Sequence, residues 1–391
     1  MNFRANIWKV YLFNFLFHLH FIDGVLVPFF TDWGGISFAR VMVLQSWYML
    51  WVFLLEIPTG TVADRWGRKQ SLALAALING GAALVYASTR NFAVFMVGEF
   101  MWAASTALFS GACDAFIYDT LRVTGQEARS KRHFGRAESF KMAGIMMAAP
   151  VGSFIAARYG LRAPMLLIAA PLAAAFLVGT TFKEPEAHHD ASPRDYLSLL
   201  RTGTRFFFES RILRVLALDM IVVGSVAYFM IWLYQPMLKQ AGVALKYFGV
   251  VAAAIAATEI VVMNNFELLE RMVGSKRRLV FLSAAITGAM FIVGGLTHLI
   301  PLVLMVILIG GGLGLSRRPL FHSYMNKYIP SPQRATVLST VSMLEKLTVA
   351  GVGPFVGLMV DWSLDYTLML LGAIALGFSF ISRVEEAHLI E

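Results

Sequence analysis

The 391-residue chain has a single cysteine, Cys113, and only 15% charged residues. One thiol excludes an intramolecular disulfide framework and a cysteine-rich metal site. So little charge leaves too few polar side chains to cover a water-soluble globule of this length, while 58% of the residues are hydrophobic. No Gly-x-x-x-x-Gly-Lys-Ser/Thr loop occurs, so ATP is not the expected energy source. A cleavable signal peptide is not expected either, because the first apolar segment runs past signal length and lacks a small-residue cleavage site before Asp23.

What the chain has in quantity is long apolar runs. A helix needs about 20 such residues to cross the hydrocarbon core. Runs of that kind lie near 6–30, 38–59, 70–89, 91–118, 134–157, 161–182, 211–238, 243–268, 278–297, 299–325, 332–360 and 364–383. The expected fold is therefore an all-α membrane protein with twelve transmembrane helices. The loops after even-numbered helices carry Arg65, Arg68, Lys69, Arg122, Arg129, Lys131, Arg132, Arg136, Arg271, Lys276, Arg277, Arg278, Lys327 and Arg334. The opposite loops carry Arg40, Arg90, Arg158, Arg162, Lys239 and Lys246. This asymmetry places both termini in the cytoplasm. The net charge of +9 then implies attraction to membrane lipids rather than nucleic acid.

Polar residues over 183–210 mark a cytoplasmic linker between an N-terminal bundle, 1–182, and a C-terminal bundle, 211–391, with 194–208 expected as an amphipathic segment on the inner leaflet. The halves echo each other. Asp64-Arg65-Trp66-Gly67-Arg68-Lys69 recurs as Glu270-Arg271-Met272-Val273-Gly274-Ser275-Lys276-Arg277 with one residue inserted. Arg136-Ala137 matches Arg334-Ala335, Ala149-Pro150-Val151-Gly152 matches Gly353-Pro354-Phe355-Val356-Gly357, and Pro28 matches Pro236.

Gly60-Thr61-Val62-Ala63-Asp64-Arg65-Trp66-Gly67-Arg68-Lys69, directly after an apolar run, resembles motif A of the major facilitator superfamily. That resemblance implies two pseudo-symmetric six-helix bundles flanking a cavity that opens alternately to each side, with motif A as a short cytoplasmic loop between the second and third helices. It also implies a conformational latch built from Gly60, Asp64, Arg65, Gly67 and Arg68. Asp64 would face the N-terminal end of the eleventh helix, whose dipole and unpaired N–H groups attract an anion. Arg68 would reach Asp119, and Glu270 and Arg271 are the second-half counterparts. With Tyr118-Asp119-Thr120-Leu121 and Arg334-Ala335-Thr336-Val337-Leu338-Ser339, the chain looks like bacterial drug:proton antiporter-like proteins of mostly unassigned substrate. Ala149-Pro150-Val151-Gly152-Ser153 is a weakened form of motif C, the pattern associated with proton-coupled export.

Charges at membrane depth cost several kcal/mol unless they face a cavity or a partner. The candidates for substrate binding or coupling are Asp23, Glu99, Asp114, Lys141, Asp219, Glu259, Arg317, Arg318, Glu345 and Lys346, with Glu56 closer to a capping or latch role. Lys141 has Glu138 three residues away as an alternative partner. Lys346 falls near mid-depth, and Arg317 and Arg318 in the adjoining helix add to an expected anion-attracting potential. Trp51, Trp102 and Trp232, with Trp47 and Tyr228, offer aromatic faces for a ligand or for packing. His18, His20, Met142, Met146 and Met147 are material for a soft-metal site, but twenty methionines scattered as in any apolar core argue against one, and no metal or cofactor is expected.

The expectation is a monomeric, non-enzymatic secondary transporter of a bacterial inner membrane, moving a small organic solute by proton-coupled export. Two alternatives stay open. One is uptake of an anionic or zwitterionic nutrient, siderophore or metal complex. The other is a sensor or lipid-handling protein on the same fold.

Overall fold

The computed structural model describes residues 3–185, 193–330 and 333–389. They are helical throughout, with no strand among them, and eleven of the helices are long and apolar enough to cross a membrane. The chain divides into two compact units, residues 1–190 with 245–253, and residues 191–244 with 254–391.

In the first unit, α1 (Arg4–Phe17) is followed by α2 (Phe38–Trp66), α3 (Arg68–Ser88), α4 (Phe92–Val123), α5 (Ser130–Tyr159) and α6 (Arg162–Thr180). Polar caps mark the starts: Ser37 accepts from the Arg40 N–H before α2, and Asn91 accepts from the Ala93 N–H before α4. The first expected span, 6–30, is not one helix. α1 has 14 residues, about 21 Å at the α-helical rise, and the chain then passes through a 3₁₀ turn at Asp23–Val25 and a π turn at Phe29–Trp33. Close packing accompanies the break. A Cβ on Gly152 of α5 would lie 1.6 Å from the Phe21 carbonyl oxygen, and one on Gly24 would lie 2.5 Å from Ser153 Oγ.

Motif A is not a loop. α2 runs through it to Trp66, and one residue, Gly67 at φ +96°, separates it from α3. Only glycine holds that backbone without strain. Pro58 lies inside α2, where it removes one backbone hydrogen bond without ending the helix.

The second unit begins with the linker helix α7 (Pro193–Glu209), then α8 (Arg211–Gln240), α9 (Phe248–Asn264), the short α10 (Phe266–Val273), α11 (Lys276–Leu296), α12 (Ile300–Asn326), α13 (Arg334–Trp362) and α14 (Leu364–Ile381). The first residues of α9 belong to the first unit. There a Cβ on Gly249 would lie 1.8 Å from the Ala149 carbonyl oxygen. α7 packs on protein: Gly203 approaches Thr336 so closely that a Cβ would lie 2.5 Å from its methyl group. Phe207, 3% exposed, is buried with Leu213, Leu216, Val337 and Val341. Phe207 is thus covered by α8 and α13, while the adjacent Phe208 is 53% exposed and stays open to the surroundings of the helix. The rest of the linker, 186–192, lies outside the described residues.

Candidate functional site

The turn after α2 gathers the first cluster. Arg68 pairs with Asp119 of α4, and its guanidinium also donates to the Ala115 carbonyl at 2.8 Å. Behind it, the Arg68 and Lys69 N–H groups donate to Glu184 Oε1 and Oε2, both at 2.8 Å. Glu184 thereby caps two orphan amides of α3 and places a carboxylate at its positive end. A Cβ on Gly67 would lie 3.0 Å from that carboxylate, a second reason for glycine there. The expected contact of Asp64 with the start of α13 lies outside the described residues, as do the side chains of Asp64 and Arg65 and the surroundings of Gly60.

The second unit repeats the device. Gly274 (φ +86°) ends α10. The Lys276 and Arg277 N–H groups donate to Glu386 at 3.0 and 2.8 Å. Desolvation by itself would raise the Glu386 carboxyl, but these donors outweigh it and hold the group below the ordinary glutamate range. Glu270 accepts from the Tyr324 hydroxyl at 2.7 Å, while exposed Arg271 reaches, among the described residues, Glu267 on its own helix at 3.9 Å. Glu184 and Glu386 escaped attention in the sequence, although each follows the last helix of its half after another charged residue.

Inside the first unit, Glu99 of α4 is 4% exposed. Its neighbours are neutral: the Gln45 amide donates to it at 3.5 Å and Tyr86 hydrogen-bonds it. No cation pairs with it among the described residues. Trp102 meets Tyr86 and His20 edge-on, with centroids 6.0 and 4.9 Å apart, and Trp51 packs edge-on against Phe100 at 4.7 Å. The buried His20 Nε2 and Trp51 Nε1 have no hydrogen-bond partner among the described residues. Asp23 sits half-buried at the 3₁₀ turn that follows α1. Asp114 is exposed, and Lys141 pairs with Glu138 at 3.0 Å, its local alternative.

Inside the second unit the charges are mostly spent on each other. Arg317 is 1% exposed and pairs with Asp219 and Ser283 while donating to the Val280 carbonyl at 2.7 Å. Ser382, just past α14, donates to the other Asp219 oxygen. The network therefore joins α8, α11, α12 and the end of α14. Arg318 reaches Glu345 at 3.4 Å. The expected pool of positive potential from Arg317, Arg318 and Lys346 is thus reduced: both arginines have carboxylate partners, and Lys346 makes no ion pair among the described residues. Glu259 is partly buried on α9, and Trp232 is buried with its indole N–H unpartnered among the described residues. No group of three His, Cys, Asp or Glu side chains is placed to hold a metal ion among the described residues.

The sequence matches the family profile described as Major Facilitator Superfamily over residues 13–354. The chain belongs to the major facilitator superfamily. It is accordingly an integral membrane transporter and not an enzyme, and its solved structural relatives carry the same fold. The nucleoside transporter NupG superposes with a TM-score of 0.80 at 13% identity, over 97% of this chain and 98% of its own. A bacterial homologue of the human lysosomal transporter Spinster, inward-facing and unoccupied, gives 0.76 at 15% identity over 100% and 96%. A POT family transporter in complex with 5-aminolevulinic acid gives 0.75 at 13% over 99% and 97%. No curated protein matches the sequence. Within the superfamily fold, the Arg68–Asp119 pair stands at the motif A turn, as the resemblance implies.

Proposed function

We propose that this superfamily member is a proton-coupled secondary transporter, exporting a small organic solute across a bacterial inner membrane by alternating access. The observation that carries proton coupling is Glu99. Asp219 and Glu345 have arginine partners, so protonating either would leave a cation unpaired. Glu99 is buried among neutral donors and can gain or lose a proton without breaking an ion pair. Export rests on the resemblance of Ala149–Ser153 to motif C; in the structure Gly152 and Gly249 pack so closely against the Phe21 and Ala149 carbonyl oxygens that neither position has room for a Cβ. No cofactor is needed, since the proton gradient supplies the energy.

The test starts from a thermal-shift panel of nucleosides, peptides, 5-aminolevulinic acid, organic anions, siderophores and drugs at two pH values. Flux of the stabilising solute is then followed in proteoliposomes. Gradient-driven flux should collapse with a protonophore, and Glu99→Gln should abolish net uphill transport while sparing solute exchange. Uphill transport that survives both treatments removes the proton-coupling proposal.

A second reading, an importer of an anion or zwitterion, rests on Lys346 alone now that Arg317 and Arg318 have partners. On that reading Lys346→Ala weakens binding of the identified solute by roughly tenfold or more, and Lys141→Ala does less. Normal binding by Lys346→Ala, or a purely cationic solute, ends it.

A further inference from the structure

On the second unit, a cavity of ≈ 500 Å³ opens between the start of α11 and the end of α14, a size typical of small-molecule sites. It lies at the end of the bundle that the Lys and Arg distribution assigns to the cytoplasm. Its lining divides by chemistry. Asp219 and Ser382 form part of the floor, and Arg317 already neutralises that carboxylate. Glu386 lines one wall but is committed to the amides of Lys276 and Arg277. Arg277 and Arg278 line the mouth with exposed side chains that make no ion pair among the described residues. On the other side, Phe281 and Phe380 meet edge-on at 5.3 Å. Phe380 and its neighbour Ile381 are each 71% exposed.

We propose that this cavity binds the phosphate-bearing headgroup of an anionic phospholipid, such as phosphatidylglycerol. The two guanidinium groups hold the phosphate oxygens, and the acyl chains lie along Phe281, Phe380 and Ile381. Arginine suits this work because its planar fork matches phosphate oxygens two at a time. Basic pockets between membrane helices on the cytoplasmic side are where anionic headgroups bind. The end of α11 is not itself the anion site, because Glu386 and Ser275 already occupy its free amides. A bound lipid would bridge α11 and α14 at the Asp219–Ser382 contact and steady the network below it.

Phosphate could reach the arginines on a lipid or as a free ion, and the test distinguishes the two. The purified full chain is titrated with phosphatidylglycerol, phosphatidylcholine and inorganic phosphate, and bound lipid is counted by native mass spectrometry. The wild type should prefer phosphatidylglycerol over phosphatidylcholine by roughly tenfold or more, as two basic side chains near an anionic headgroup would produce. Arg277→Gln/Arg278→Gln should abolish the preference. Arg277→Lys/Arg278→Lys keeps the charge that orients the chain and should still lose about threefold or more, since a point charge replaces the fork. Phe380→Ala should weaken both lipids, and Arg271→Gln, outside the cavity, should change nothing. Equal binding of the two lipids, an unchanged preference in the lysine variant, or an equal loss in Arg271→Gln overturns the proposal. Displacement of phosphatidylglycerol by an equal concentration of inorganic phosphate overturns the lipid and leaves a free-anion site.

Discussion

Arg317 shows how much a single long side chain can commit. It satisfies Asp219, Ser283 and the Val280 carbonyl at once and lies over the Phe321 ring at 5.1 Å. Removing the cation strands a buried carboxylate. Arg317→Met is therefore expected to destabilise the purified protein by about 3–5 kcal/mol, and adding Asp219→Asn should restore a large part of that loss. Detergent unfolding curves for the two single variants and the double variant check this through a double-mutant cycle; additive losses would mean the pair is not coupled. Such pairing was only partly legible in the sequence. Arg68–Asp119 follows from a motif, and Glu138–Lys141 from helical spacing. Asp219 and Arg317 are 98 positions apart, and depth along a helix says nothing about the direction in which a side chain points. For the same reason the sequence could nominate Glu99 but not its neutral partners Gln45 and Tyr86.

Among the elements, the turn between α2 and α3 departs most from expectation. Pro58, Gly60 and the charges after them read as a loop, yet the helix carries through and a single glycine makes the turn. A membrane helix tolerates an internal proline when its neighbours satisfy the freed groups, so local breakers overstate the loop. Gly67→Ala should cost about 1–3 kcal/mol, because alanine would be forced into a backbone region reserved for glycine and its Cβ would press on Glu184; the melting temperature measures the loss. The cap on α11 makes a pH prediction. The folded Glu386 carboxyl sits below its ordinary value, so the cap's stability is present above the ordinary glutamate pKa of about 4.3. It is lost as pH falls through the lowered folded value. Glu386→Gln should then melt lower than wild type at neutral pH, and the gap should close in acid. A gap that persists unchanged in acid would assign the effect to packing rather than charge.

For the whole molecule, the superfamily fold and eleven of the twelve apolar segments were legible because membrane depth fixes helix length. The broken first segment and the membership of 245–253 in the first unit were not, because both depend on backbone contacts between segments far apart in sequence. Gly249→Val tests that packing. With only 1.8 Å between its Cβ position and the Ala149 oxygen, the substitution should cost about 1–3 kcal/mol through overpacking. The melting temperature should fall by several degrees while the protein still inserts; a melt matching wild type would mean that the segment parts readily from α5. The repeat of the glutamate caps has a kinetic consequence. Amides in the first turn of a helix have no partner within it, so those of Arg68, Lys69, Lys276 and Arg277 would ordinarily exchange with deuterium as fast as loop amides. Each is bonded to a carboxylate that arrives from the far end of its own half. Their exchange rates therefore clock how often the last helix of each half lets go of the third, and give two internal timers, one per half, readable without knowing what the transporter carries.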